Sequence, residues 1–180
     1  QLQATLENMN IPYTGSHYAG CLLAMDKDLS KQLLKFAGIP TPNWFLYDSS
    51  KDSLEELKGN VSYPCVIKPV SNGSSIGVSI VNKEEELIQG IQYGSKYETS
   101  LLVEEYIKGR EFSVGILDGK ALPVIEILPI VGFYDYKNKY QSGLTKEVCP
   151  AELSLELTRK VQELALKVHH VLRLGGYSRI

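Results

Sequence analysis

Cysteine is scarce in this chain and shows no pairing pattern. Cys21, Cys65 and Cys149 are far apart, odd in number, and lack any Cys-x-x-Cys or Cys/His spacing. That argues against paired disulfides and a structural zinc site, and points to buried or half-buried free thiols in a reducing cytosol. Excess charge is missing too. Nineteen Lys and Arg face 21 Asp and Glu, a net charge of −2. The global electrostatic case for a nucleic-acid partner falls away, while a local basic pocket for a small anion stays open. The longest apolar stretch, residues 121–133, carries Glu126 and two prolines. It is too short and too interrupted to span a bilayer, so no membrane partner is expected. No signal peptide, internal repeat or low-complexity segment is visible. Neither end has a polar tail. The chain opens on Gln1 and closes on Gly176-Tyr177-Ser178-Arg179-Ile180, which reads as a strand just begun. The expectation is a piece of a larger protein.

What is present is ordinary for a folded chain. Of 180 residues, 43% are hydrophobic and 22% charged, which suits one domain or two small ones. Leu2, Leu6 and Met9 have helical spacing. A second helix is expected from Asp26, with Leu29, Leu33, Leu34 and Ala37 on one face and Gly38 ending it. Trp44-Phe45-Leu46-Tyr47 reads as a strand. A short helix follows Ser53, with Glu56 at the capping-box position. Residues 64–69 and 78–81 are two short runs joined by Ser71-Asn72-Gly73-Ser74-Ser75-Ile76-Gly77, close enough to form an antiparallel hairpin. A helix is expected over 84–94, strands over 100–106, 111–117 and 120–128, and a long loop over 132–146. Leu157, Val161, Leu164, Ala165, Val168, Val171 and Leu172 mark a long amphipathic helix.

Four features carry candidate chemistry. Gly73 and Gly77 let backbone approach a ligand closely, and Ser74 and Ser75 add hydroxyls. With Lys68 at the end of the incoming strand, this reads as a phosphate cradle. It is neither a Walker loop nor a dinucleotide fingerprint, because Gly-Lys-Ser/Thr and Gly-x-Gly-x-x-Gly are both absent. A plain turn and a solvated lysine are the alternative reading. Glu104, Glu105 and Glu111 flank a crossing at Lys108-Gly109 that suits an adenine amino group and ribose hydroxyls, or else a solvated edge. The run Phe133-Tyr134-Asp135-Tyr136-Lys137-Asn138-Lys139-Tyr140 suits a lid over a substrate, or a surface loop pinned by tyrosines. Arg179, on the last strand, is able to stabilise developing negative charge.

Order and spacing together carry a resemblance. Ile11-Pro12-Tyr13-Thr14-Gly15, Ala24-Met25-Asp26-Lys27, Ala37-Gly38-Ile39-Pro40-Thr41-Pro42, Lys68-Pro69, Gly73-Ser74-Ser75-Ile76-Gly77, Gly109-Arg110-Glu111-Phe112, the tyrosine-lysine run, Cys149-Pro150-Ala151 and Gly176-Tyr177-Ser178-Arg179 follow one another. In that order the sequence resembles the D-alanine–D-alanine ligases, ATP-grasp enzymes of bacterial cell-wall synthesis. The resemblance implies an α+β ATP-grasp fold, with nucleotide held between two antiparallel-rich subdomains. It divides the chain into the end of an N-terminal domain (1–21), a central domain (22–108) and the first part of a C-terminal domain (109–180).

The resemblance also implies roles. Lys27 and Lys68 match lysines on the ATP phosphates, and Gly73, Ser74 and Ser75 lie in the matching phosphate loop. Glu104, Glu105 and Ile107 match the adenine segment, and Glu111 matches the ribose acid. Lys139 matches a lysine on the transferred phosphate. Tyr140 matches a lid tyrosine that bonds toward Ser74. Arg179 matches the arginine that stabilises the acyl-phosphate and the tetrahedral intermediate. ATP with Mg²⁺, or Mn²⁺, is the implied cofactor, and the metal ligands are expected beyond Ile180. D-Alanine is the implied substrate, the cytoplasm the implied location, and a homodimer an admissible assembly. A D-alanine–D-serine ligase, another ATP-grasp carboxylate–amine ligase, and a non-catalytic nucleotide-binding fragment are the alternatives. The chain by itself is expected to be inactive.

Overall fold

A computed structural model describes every residue except 1, 131, 133, 135 and 142. Its elements in chain order are α1 (Leu2–Asn8), α2 (Tyr18–Met25), α3 (Lys27–Phe36), β1 (Trp44–Asp48), α4 (Leu54–Asn60), β2 (Cys65–Pro69), β3 (Ser79–Val81), α5 (Glu84–Ser95), β4 (Ser100–Glu105), β5 (Glu111–Leu117), β6 (Lys120–Pro129), α6 (Tyr136–Tyr140), β7 (Thr145–Val148), α7 (Leu155–Val171) and β8 (Tyr177–Arg179). They form two compact units. One comprises Gln1–Pro40, Arg110–Val131 and Thr145–Ile180, and the other Thr41–Gly109 and Gly132–Leu144. Each holds a four-stranded antiparallel sheet and helices, the α+β class that the sequence implies.

In the second unit the sheet order is β1-β4-β2-β3. Strand alternation sends Cys65, Ile67, Leu101 and Val103 to one face, where they pack with Leu57 of α4 and with Leu87 and Ile91 of α5. The other face therefore receives Val66, Lys68, Leu102 and Glu104. Helix α5 lies close on its sheet because Gly90 has no side chain. A Cβ there would stand 2.9 Å from Val81 Cγ2 and 3.0 Å from Ile67 Cδ1. Ser53 starts α4 by accepting a hydrogen bond from the Glu56 N–H, as its position implied.

In the first unit the order is β7-β6-β5-β8. Helix α7 covers this sheet through Val161 and Ala165, which pack with Val114, Ile116 and Val124. Its Val168, with Leu172 just past its end, joins Ile39, Leu33 and Leu34 in a further cluster. That packing groups α3 with α7, so residues 22–40 lie in the first unit.

Two expectations need correction. Helix α2 was not expected, because Tyr-Ala-Gly-Cys-Leu-Leu-Ala-Met is apolar on every side and His17 makes no side-chain cap. The loop expected over 132–146 contains α6 and β7. The second is a polar edge strand that pairs Thr145–Val148 with Pro129–Glu126, and its Lys146 and Glu147 suit an exposed edge. The cysteines are free, and Cys149 is exposed rather than buried. Burial pushes the Cys65 thiol up to about 11. Among the described residues, no helix is long and apolar enough to cross a membrane.

Candidate functional site

The glycine–serine loop of the second unit is a strained turn. Ser74 and Ser75 both have φ 57, and Gly77 has φ 73. Holding two serines in the left-handed region costs about 1–2 kcal/mol each, and such strain clusters where backbone is shaped for a ligand. The loop is tied at both ends. Glu98 Oε2 accepts from the Ser71 N–H at 2.9 Å and from its hydroxyl at 3.0 Å. At its far end Gly77 lies close against Pro69 and Tyr97, which a Cβ there would meet at 2.7 and 2.9 Å. Among the described residues, the N–H groups of Ser74 and Ser75 meet no acceptor. Two such donors on adjacent residues can receive an anion.

The aromatic segment returns to this loop. Ser74 Oγ lies 2.6 Å from the Tyr140 hydroxyl, and Ser75 Oγ donates to the Tyr134 carbonyl at 3.0 Å. Lys139 Nζ stands 5.0 Å from the Tyr134 ring centre, within cation–π reach. The rings of Tyr136 and Tyr140 are 4.8 Å apart. Phe133 and Asp135, the other members of that run, lie outside the described residues.

Lys68 and Glu104 are diagonal neighbours on the sheet face away from α5, because Val66 pairs with Glu104 and Lys68 with Leu102. The Lys68 ammonium donates to Glu104 Oε1. Glu105 lies at the end of the same strand. Its N–H donates to the Asn43 carbonyl at 2.9 Å, so that backbone donor is spent within the fold. Glu104 and Glu105 both line a cleft of about 490 Å³ with Asn43, Trp44, Tyr63 and Tyr106. Amides, a carboxylate and aromatic faces suit a planar heterocycle bearing an amino group. Ile107 is exposed just beyond the strand.

The first unit carries the remaining candidates. Lys27 opens α3 directly after Asp26, whose side chain accepts from the Leu29 N–H. Glu111 opens β5 and is exposed. Arg179 is exposed on β8, opposite Gly115.

A family model described as "D-ala D-ala ligase C-terminus" matches residues 33–180. The chain belongs to this family. It is 41% identical over 191 residues to a D-alanine–D-alanine ligase of Desulfotalea psychrophila, covering 99% of this chain and 58% of that one. A crystal structure of D-alanine–D-alanine ligase from Bacillus anthracis superposes with TM-score 0.86 at 37% identity, over 99% of this chain and 59% of that one. One from the same organism complexed with ATP gives 0.81 at 35%, with 99% and 57% covered. The VanG D-Ala:D-Ser ligase of Enterococcus faecalis gives 0.84 at 32%, with 99% and 54% covered. The chain thus spans about 58% of the length of the curated relatives it matches.

Within this ligase-family chain, one pair escaped sequence reading. Arg110 Nε donates to Glu126 Oε1 at 2.6 Å, and its Nη2 donates to Oε2 at 2.7 Å and to the Glu152 carbonyl at 3.1 Å. The available signal was Glu126 itself, a lone charge in the longest apolar stretch, which demands a partner once buried. The pair ties the strand opened by Glu111 to β6. The Arg110 hydrogen bonds hold the Glu126 carboxyl below its ordinary value, against burial. A lowered carboxylate stabilises the fold above its unfolded pKa of about 4.3, and that stabilisation is lost as pH falls through the lower, folded value. In thermal melts across acid pH, Arg110→Met should therefore lose part of the acid-side fall in Tm. An unchanged pH profile would exclude this pair as a contributor.

Proposed function

We propose that the full-length protein is an ATP-dependent ligase that joins two D-alanines through an acyl-phosphate. The observation that carries this reading is the Ser74–Tyr140 contact at 2.6 Å, which lays an aromatic lid over an anion-binding loop in a chain of this family. The ATP-complexed relative and the curated ligases support it. In the proposed reaction one D-alanine carboxylate attacks the γ-phosphorus and ADP leaves. The amine of a second D-alanine then attacks the acyl carbon, loses a proton and expels phosphate.

The proposed roles follow from charge and place. Lys27, Lys68 and Lys139 neutralise phosphoryl oxygens, and the Gly73–Ser75 backbone and hydroxyls hold them. Glu104, Glu105 and Ile107 seat adenine, and Glu111 the ribose. Arg179 faces the charge that develops on the acyl-phosphate and the tetrahedral intermediate. Tyr140 closes the lid, which keeps water from the acyl-phosphate. Mg²⁺ or Mn²⁺ would travel with the ATP phosphates and neutralise their charge. Among the described residues no group of three His, Cys, Asp or Glu side chains is placed to hold a metal. The residues present do not make that site, and no step here runs through the ion. The dipeptide would serve peptidoglycan synthesis and cell shape from the cytoplasm.

ADP release by the full-length protein tests the reading. D-Alanine alone should stimulate release, and D-alanyl-D-alanine should be the product. No stimulation by D-alanine would refute it. A mixed D-alanine–D-serine product in preference would favour the second reading, which the VanG likeness keeps in view.

A further inference from the structure

Two adjacent serines in the left-handed region need support from outside their own loop. Strained backbone of this kind persists only where its surroundings hold it. Inside the loop, the Ile76 N–H donates to the Gly73 carbonyl at 3.1 Å and the Val78 N–H to the Ser75 carbonyl at 3.4 Å. These bonds shape the turn without anchoring it to the sheet. The bonds of Ser74 with Tyr140 and of Ser75 with the Tyr134 carbonyl come from the segment proposed to close over substrate.

What ties the loop to the sheet lies at its two ends, and both meet the short connection between α5 and β4. The β2–β4 ladder runs one bond past β2, where the Val70 N–H donates to the Ser100 carbonyl at 3.2 Å. The next carbonyl, that of Thr99, faces the other neighbour. It accepts from the Ser49 N–H at 2.9 Å and from the Ser49 hydroxyl at 3.2 Å, just past β1. The Glu98 carboxylate takes its place toward the loop. Its Oε2 accepts from both the N–H and the hydroxyl of Ser71, so the chain leaves the sheet at a fixed point. Glu98 is set in turn by its own N–H, which donates to the Gly94 carbonyl at 3.3 Å at the end of α5. Tyr97, the residue before it, packs at the exit against Gly77. A free carboxylate beside an anion-binding loop would repel phosphate. Here it is engaged by two donors, which is the use of an anchor.

We infer that Glu98 is a positioning residue: by accepting both Ser71 donors it holds the glycine–serine loop in the shape that receives the ATP phosphates. The inference rests on the proposed role of that loop. It asks for an acceptor oxygen at 98 rather than for a charge.

Binding to the full-length protein tests this, with a non-hydrolysable ATP analogue in Mg²⁺ and adenosine as the two probes. Glu98→Ala releases the loop from the receptive shape, so affinity for the analogue should fall about tenfold, in proportion to the receptive fraction. Adenosine carries no phosphate and should bind wild type and variant alike. KM for ATP should rise by a similar factor, with kcat at saturating ATP within about threefold. Glu98→Gln keeps an acceptor oxygen, and its affinity for the analogue should stay within about threefold of wild type. Ser71→Ala loses one of the two bonds and should cost about threefold, and nothing more when added to Glu98→Ala. The denaturant midpoint of Glu98→Ala, read by Trp44 fluorescence, should barely move, because Ser71 is exposed and its donors return to water.

Wild-type affinity for the analogue in Glu98→Ala would overturn the inference. So would equal weakening of adenosine, or tighter binding of the analogue in both Glu98 variants, which would make the carboxylate a repelling charge. If wild type binds the analogue no better than adenosine, the phosphate-cradle reading falls and this inference with it. If it binds the analogue yet shows no D-alanine-dependent turnover, the ligase reading fails alone, and the affinities still decide the role of Glu98.

Discussion

Lys68→Ala will cut ATP turnover in the full-length protein by at least about a hundredfold, the scale of losing one preorganised charge at a developing anion. It will also lower stability, for a separate reason. The Glu104 side chain is 9% exposed and that of Lys68 is 21%. Removing the ammonium takes one charged, hydrogen-bonded neighbour away from a nearly buried carboxylate. That costs about 1–3 kcal/mol here, less than for a fully enclosed pair because the lysine still reaches water. The two effects separate in the double variant Lys68→Met/Glu104→Leu. With both charges gone the fold should recover much of its stability, since no buried charge remains to be solvated, while turnover stays lost. Denaturant midpoints and ADP release measure the two quantities. Near-normal turnover in Lys68→Ala would remove this lysine from the phosphate site.

Gly77→Ala should be the most damaging single methyl in the second unit. The residue sits at φ 73, and a Cβ would stand 2.7 Å from Pro69 Cγ and 2.9 Å from Tyr97 Cδ2. Proline cannot swing away, so the loop must move. The expected loss is about 2–4 kcal/mol from strain and overlap together. Gly73→Ala is the control, because a Cβ there meets nothing within 4 Å and the backbone is not left-handed. It should change stability by less than about 0.5 kcal/mol. The only tryptophan, Trp44, lies on β1 of the same unit, so its fluorescence reports this unfolding directly. Equal midpoints for the two variants would refute the account.

The parts legible in the sequence were those that one physical signal decides. The β2–loop–β3 hairpin follows from two short apolar runs and a glycine–serine link. Helix α7 follows from apolar spacing. Helix α2 carried no periodic contrast, so periodicity was silent. Strand β7 is polar because its edge faces solvent, which made it look like loop. The candidate site divides in the same way. Lys68 and Glu104 were each singled out, yet their pairing depends on sheet register, which no local pattern states. Ser74 and Tyr140 are 66 positions apart. Only the family resemblance joined them, since composition gives no distance across that interval. Arg110 and Glu98 were passed over because each takes its meaning from a partner on another segment.

The chain leaves the second unit after Gly109 and re-enters it at Gly132. All four strands of that unit's sheet are complete by Glu105. On the ribosome this order of synthesis becomes an order of assembly. The sheet can form from what has already emerged, while α6 has yet to be made. Closing the Ser74–Tyr140 contact then means bringing together two points far apart along the chain, a step whose entropic cost no nearby contact offsets in advance. The nascent protein therefore holds a finished, uncovered loop before it holds the segment that covers it, and the cover is the last piece of that unit to dock.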